Sequence, residues 1–150
     1  MDVQGLLKVK GDRVVTTYPE ATIQTIARRM TKDGIGAIVV VNPADDRVTG
    51  IISERDIARA LSEHGTELLE MRVADIMTPS VKTCTPQDSV KHVMTLMTHS
   101  RIRHIPVIDG RRLCGIISIG DVVKNRLQER ELEVNVLRDT CITARSALAS

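Results

Sequence analysis

A chain of 150 residues, 42% hydrophobic and 27% charged, has the make-up of a globular protein and can bury a sizeable core. Its net charge of +2 is too small to imply nucleic acid, and Tyr18 is its one aromatic residue, which argues against single-strand binding by base stacking. No apolar run approaches the roughly 18–20 residues that span a bilayer, and Met1-Asp2-Val3-Gln4-Gly5 has neither a basic nor an apolar leader region. The expectation is a cytoplasmic protein with neither nucleic acid nor a membrane as partner.

In chain order, residues 14–17 are rich in β-branched side chains and predict a short strand. Pro19 suits the first turn of a helix whose core face is Ile23, Ile26, Ala27 and Met30, at i, i+3, i+4 and i+7. Gly34 ends that helix. Residues 35–41 are a β-rich run, 42–46 carry turn chemistry, and 47–52 return as a strand. A second helix opens near Ser53 and is broken by Gly65. Residues 62–80 connect to a second half, with a short helix over 73–77 ahead of Thr78-Pro79.

The series then recurs. Residues 81–84 predict a strand, and Thr85-Pro86-Gln87-Asp88 reads as a capping box with Pro86 in the first helical turn. Val90, Val93, Met94 and Met97 repeat the helical spacing. Runs at 102–108 and 113–117 flank Asp109-Gly110, a strong hairpin signal. The last helix opens near Ser118 and is expected to run to about Leu137, with Val123, Leu127, Val134 and Leu137 loosely on one side. The Glu/Arg-rich stretch 128–133 reads as a solvated face, and the tail from Thr140 as frayed.

Set Thr16 on Thr83 and the halves align without a gap: Pro19 on Pro86, Ile23 on Val90, Met30 on Met97, Ile35 on Ile102, Val40 on Val107. Loops of unequal length follow, after which Gly50 meets Gly115, Ser53 meets Ser118 and Asp56 meets Asp121. The fold class is therefore α+β, with two β-α-β-β-α repeats. One repeat of about 48 residues buries too little surface to be stable alone. Two packed sheet to sheet, with pseudo-two-fold symmetry, would solve this and leave two equivalent clefts between them.

Isolated residue types offer little else. Cys84, Cys114 and Cys141 are odd in number, widely spaced and free of C-x-x-C, which suits a reducing compartment. Cys84 and Cys114 fall in strand-like runs and read as small buried hydrophobes, and Met71, Met77, Met94 and Met97 as core filler. His64, His92, His99 and His104 show no tight ligand spacing, so no metal site is expected.

The chemistry lies in the doubled Gly-x-x-Ser-x-x-Asp at Gly50–Asp56 and Gly115–Asp121. As local structure it is a capping box. As a site, the same strand-to-helix junction offers helix N–H groups to an anion. Gly50 and Gly115 allow close backbone approach, Ser53 and Ser118 offer hydroxyls, and the Asp56 and Asp121 carboxylates suit a vicinal diol. Together these fit a ribose phosphate. The second half has Arg103 and His104 where the first has Gly36 and Ala37, and Arg55 matches Gly120, so unequal sites are expected.

On these residues, on Arg101-Ile102-Arg103-His104-Ile105-Pro106-Val107 and on Asp75-Ile76-Met77-Thr78-Pro79, the sequence resembles a tandem pair of CBS domains, a Bateman module, over nearly the whole chain. Ser53-Glu54-Arg55-Asp56 and Ser118-Ile119-Gly120-Asp121 make it most similar to small stand-alone CBS-pair proteins. The resemblance implies a first repeat over 8–66, a second over 73–130, and a C-terminal helical extension and tail over 131–150. It implies an adenosine-containing ligand: AMP, ADP, ATP, NAD(H) or S-adenosylmethionine. Asp56 and Asp121 would hold ribose hydroxyls, and Ser53 and Ser118 would sit at ribose or phosphate. Adenine would lie against Ile35-Gly36 and Ile102-Arg103, near Thr16 and Thr83. Arg55, Gly120, Arg103 and His104 complete the candidate set. The resemblance also implies a homodimer and a regulated partner protein.

No nucleophile–base pair is visible, so no enzyme and no catalytic cofactor are expected. The leading expectation is a non-catalytic adenine-nucleotide sensor that signals to a partner. The rival is a protein-interaction or dimerisation module with vestigial clefts, for which an exposed apolar helical face including Val134 and Leu137 would speak.

Overall fold

The computed structural model describes residues 1–149; Ser150, the end of the expected tail, lies outside the described residues. The order is α1 (Val3–Lys10), β1 (Thr16–Thr17), α2 (Ile23–Asp33), β2 (Ala37–Val41), β3 (Val48–Ser53), α3 (Glu54–His64), a 3-10 turn (Gly65–Glu70), α4 (Val73–Ile76), α5 (Val90–Ser100), β4 (His104–Asp109), β5 (Arg112–Ser118) and α6 (Ile119–Ala149). The two repeats are present, each with an antiparallel hairpin between two helices. In the first, β1 pairs in parallel with β2, and β2 antiparallel with β3. In the second, β4 pairs with β5. The register slips at Val40/Val41 in one hairpin and at Val107/Ile108 in the other, which are matching positions.

The strand expected over 81–84 reduces to one bridge between Cys84 and Val107. Its equivalent in the first repeat is closed by Val39 N–H donating to Val15 O at 3.3 Å. Pro106 stands where Val39 does and has no N–H to donate, so the parallel ladder cannot extend. The strand expected over 14–17 is likewise only Thr16–Thr17.

Both leading helices start later than expected. Thr22 caps α2 through Thr25 N–H, and Ser89 caps α5 through His92 N–H, so Pro19 and Pro86 lie ahead of the helices. The segments between take a different role. Val73 N–H donates to Ala21 O and Ala74 N–H to Pro19 O; in the other repeat, Val3 N–H donates to Asp88 O and Gln4 N–H to Pro86 O. A lead-in helix thus docks on each repeat, and in each case it precedes the opposite repeat in the chain.

Core packing follows the same exchange. Val3, Leu6 and Leu7 of α1 join Val90, Val93, Met97, Ile105, Val107, Ile117 and Val122 in the second core. Val73 joins Ile23, Ile26, Met30, Ile38, Val40 and Ile52 in the first, with Ile76 and Met77 against it. Burying a Val or Leu side chain is worth about 1.5–3 kcal/mol, so α1 contributes substantially to a repeat it does not belong to. The sequence reading did not contain α1. Its signals are an Asp2 cap on Gly5 N–H, apolar residues at positions 3, 6 and 7, and Lys8 and Lys10 in the last turn.

Strand β2 is buried along its whole length. Ile38 and Val40 face the first core, so Ala37, Val39 and Val41 alternate to the opposite face, against the other repeat. The frayed tail is not observed: α6 is one helix of 31 residues, through Ala149. The buried Cys84 and half-buried Cys114 pack with the second core, as do Met94 and Met97. Met71 and Met77 pack on the first.

Gly50 and Gly115 do have a close approach, but the visitor is the exchanged segment. A Cβ at Gly50 would lie 2.6 Å from Met77 Sδ and 3.0 Å from Thr78 O; one at Gly115 would lie 2.7 Å from Leu7 Cδ2, and all three of its nearest atoms belong to that side chain. Backbone cannot step aside as a leucine terminus can. Gly50→Ala should therefore destabilise by about 1–3 kcal/mol and Gly115→Ala by clearly less, read as urea midpoints at equal m-value.

Candidate functional site

The two strand-to-helix junctions have the same internal geometry. Ser53 N–H and hydroxyl both donate to Asp56 Oδ2, at 2.9 and 3.0 Å, while Asp56 N–H donates back to Ser53 Oγ at 3.4 Å. Ser118 and Asp121 repeat this at 2.8, 2.8 and 3.2 Å. This is the expected capping box. The first amide of each helix is also engaged: Glu54 N–H donates to Gly36 O and Ile119 N–H to Arg103 O. The helix ends are thus largely satisfied from within, and attraction for an anion falls to side-chain cations.

The carboxylates differ in their second partner. Asp56, 8% exposed, accepts at Oδ1 from Thr78 Oγ1 at 3.2 Å. Asp121 accepts at Oδ2 from Lys10 Nζ at 2.6 Å, and Lys10 also donates to Ile116 O at 2.5 Å. Both partners arrive on the exchanged segments.

Each Asp opens onto a cleft built from both repeats. The first cleft, about 230 Å³, brings Ser53, Arg55 and Asp56 together with Ile102, Arg103 and His104, and with Gly36. The second brings Ser118 and Asp121 together with Ile35, Gly36 and His104. The cations of the second half thus face the carboxylate of the first, and His104 stands between the clefts. A Cβ on Gly36 would lie 3.4 Å from the His104 ring.

Three candidate residues lie outside both clefts. Thr16 is exposed in a separate depression at the opposite end of the strands. Thr83 is exposed, and its neighbour Lys82 lines the first cleft as Val15 lines the second. The alternation of an extended chain selects the residue before each threonine. Gly120 borders a shallow groove between α2, α3 and α6.

Residues the sequence reading left out supply most of the charge. Arg59, Ser80, Lys82 and Arg101 line the first cleft, and Lys10 and Arg13 the second. Lys10, Arg13, Ser80 and Lys82 lie near the start of each repeat, Arg101 at the end of α5 and Arg59 within α3. The first cleft then carries five cations (Arg55, Arg59, Lys82, Arg101, Arg103) against the carboxylates of Glu54 and Asp56. The second carries Lys10 and Arg13 against Asp33 and Asp121. Arg101 also holds the left-handed conformation, φ 52°, at the helix end where the first repeat has Gly34 at φ 64°. That conformation costs a non-glycine residue about 1 kcal/mol.

Residues 9–63 and 73–127 each match the CBS domain family, and the chain belongs to that family. It is 41% identical over 119 residues to the mitochondrial CBS domain-containing protein CBSX3 of Arabidopsis thaliana, covering 77% of this chain and 58% of that one. The chain spans 58%, 34% and 57% of the length of three of the curated relatives it matches. A crystal structure of a CBS-domain containing protein from Agrobacterium tumefaciens superposes with a TM-score of 0.81 at 42% identity, over 83% of this chain and 92% of that one. A CBS domain pair solved in complex with 5-methylthioadenosine and S-adenosyl-L-methionine superposes with a TM-score of 0.75 at 26% identity, over 86% of this chain and 98% of that one. Among the described residues, no helix is long and apolar enough to cross a membrane, and no cluster of His, Cys, Asp or Glu is arranged to hold a metal ion.

Burial, then the charge of Lys10, holds the His104 imidazole below its ordinary 6.5, against the pull of Glu54 and Asp121. For Asp121 burial works upward, but the hydrogen bonds from Lys10 and Ser118 prevail and hold the carboxyl below its ordinary 3.8. Burial pushes the Cys84 thiol up to about 12, so it is inert. Both depressed groups have the same sign. As pH falls the unfolded chain takes the proton first, so stability present above the ordinary value is lost on acidification. His104→Gln should flatten the fall in melting temperature between neutrality and about pH 5. Lys10→Met should raise the Asp121 value and so shrink the acid-dependent loss that begins near 3.8. Thermal unfolding across a pH series reads both.

Proposed function

We propose that this CBS pair is a non-catalytic regulatory module that reads adenine nucleotides in its two clefts and signals the result to a partner protein. The observation that carries the reading is the doubled Ser–Asp junction, each copy facing a cleft that both repeats build. A carboxylate with its cap satisfied keeps lone pairs for a ribose diol. Aliphatic residues, Ile102 in one cleft and Ile35 in the other, suit an adenine face. The adenosine ligands of the related CBS pair support the same class. A ligand that touches both repeats shifts their arrangement only by its differential affinity for the alternatives. Placement in the cytoplasm belongs to the same proposal, supported by the free state of Cys84, Cys114 and Cys141.

Charge separates the two clefts. The first, with five cations against two carboxylates, suits a di- or triphosphate, or the pyrophosphate of NAD(H). The second is balanced, and Lys10 already occupies Asp121. A ligand there must give Lys10 another acceptor, which one phosphate does, so AMP fits it best. The left-handed Arg101 supports this division: a strained residue is retained where its guanidinium borders the first cleft.

Calorimetric titration and thermal shift with ATP, ADP, AMP, NADH and S-adenosylmethionine test the reading. A ligand at a hundred times its Kd should stabilise the fold by about 2.7 kcal/mol; no shift with any of them would remove the sensor function. Arg103→Ala should weaken ATP roughly tenfold or more, the value of a charge-assisted hydrogen bond, and leave AMP in the second cleft unchanged. Arg101→Gly should weaken ATP as well, yet raise the melting temperature of the free protein by roughly 2–4 °C. Equal effects of these variants on ATP and AMP would sink the division between clefts.

A further inference from the structure

From Arg130 to Ala149 every described residue of α6 is exposed. About 30 Å of helix therefore leaves the body with its side chains in solvent, although most helical stability in proteins comes from packing an apolar face. Its apolar side chains are ordered. Leu127, Val134, Cys141 and Leu148 recur every seven residues, and Leu137 and Ala144 fill the intervening position, the a and d spacing of a coiled-coil seam. Val134, Leu137 and Cys141 already line one apolar groove on the helix. Leu132, Val136 and Ile142 fall off the seam, and Arg130 interrupts it at its first d position.

The flanking charges choose the occupant. With Leu127 at a, the g and e positions hold Arg126 and Glu131, Glu133 and Arg138, Thr140 and Arg145. In a parallel two-stranded coil each g residue meets the next e residue of the other helix. Arg126 then faces the partner's Glu131, and Glu133 faces the partner's Arg138. Both contacts are attractive, and the third, Thr140 with the partner's Arg145, is neutral. An antiparallel pair centred on Leu137 would instead set Arg138 against Arg138 and leave Glu133 facing Thr140. Seam and flanks are thus complementary to the same helix running in the same direction.

We propose that α6 beyond the second repeat forms a parallel two-stranded coiled coil with a second copy of this chain. This contact is the one that holds the two copies together, and it does not depend on what the clefts bind.

Sedimentation equilibrium of the full chain tests it with four proteins: wild type, Glu133→Arg, Arg138→Glu and the double exchange. Each single change places like charges across the coil and should weaken the dimer about tenfold, while the double change should restore it. In a Cys114→Ser background a short bismaleimide should link two chains through Cys141, and Val134→Asp with Leu137→Asp should abolish both link and dimer. A monomeric wild type, a dimer indifferent to the Val134/Leu137 pair, or a double exchange weaker than either single change would each overturn the proposal. The melting temperature of each variant shows that the body has folded. The nucleotide titrations report separately, so loss of the coil leaves the sensor reading untouched.

Discussion

The exchange of lead-in segments is the contact on which the rest of the molecule depends: α1 completes the core of the second repeat through Val3, Leu6 and Leu7, and α4 with Met77 completes that of the first. Neither repeat is closed by its own sequence neighbourhood. Because each segment carries apolar side chains into the opposite core, separating the repeats would expose both cores at once. The exchange also explains the paired glycines, since Gly50 and Gly115 lie under Met77 and Leu7. A feature that reads as room for a ligand is room for the chain itself.

The same crossings bring Thr78 and Lys10 to equivalent carboxylates. A hydroxyl leaves Asp56 without a counter-charge, beside a cleft rich in arginine. An ammonium neutralises Asp121 in a cleft with few cations to spare. Pseudo-symmetry fixes the shape of both clefts, and the lead-in segments break the symmetry of their charge. His104, on the strand between them, borders both clefts, so its protonation state acts on either.

The repeat, the hairpins and the helical faces were legible because they rest on periods of two and 3.6 residues and on local punctuation. The errors have specific causes. The strand over 81–84 failed at Pro106, a residue distant in sequence whose missing N–H ends the ladder. The helices began late because Thr22 and Ser89 cap them and the preceding residues bond to the exchanged segments. Thr16 and Thr83 each follow a residue that lines a cleft, Val15 or Lys82, and in an extended chain one residue on is the opposite face. The helix α1 passed unread because its worth lies in a core some 80 residues further along the chain, beyond what local pattern carries.

What the sequence determined by itself is the doubled Ser–Asp box, whose atoms lie within three residues of one another and close through their own hydrogen bonds wherever a strand meets a helix. It determined the two equivalent halves for the same reason, since every element signal within them is local. Only the tertiary structure decided which cations meet which carboxylate. Arg101 and Arg103 belong to the second half and serve Asp56 of the first; Lys10 precedes the first half and serves Asp121 of the second. Coulomb interaction depends on distance in space, and that distance is set by two sheets packing face to face and two segments crossing between them.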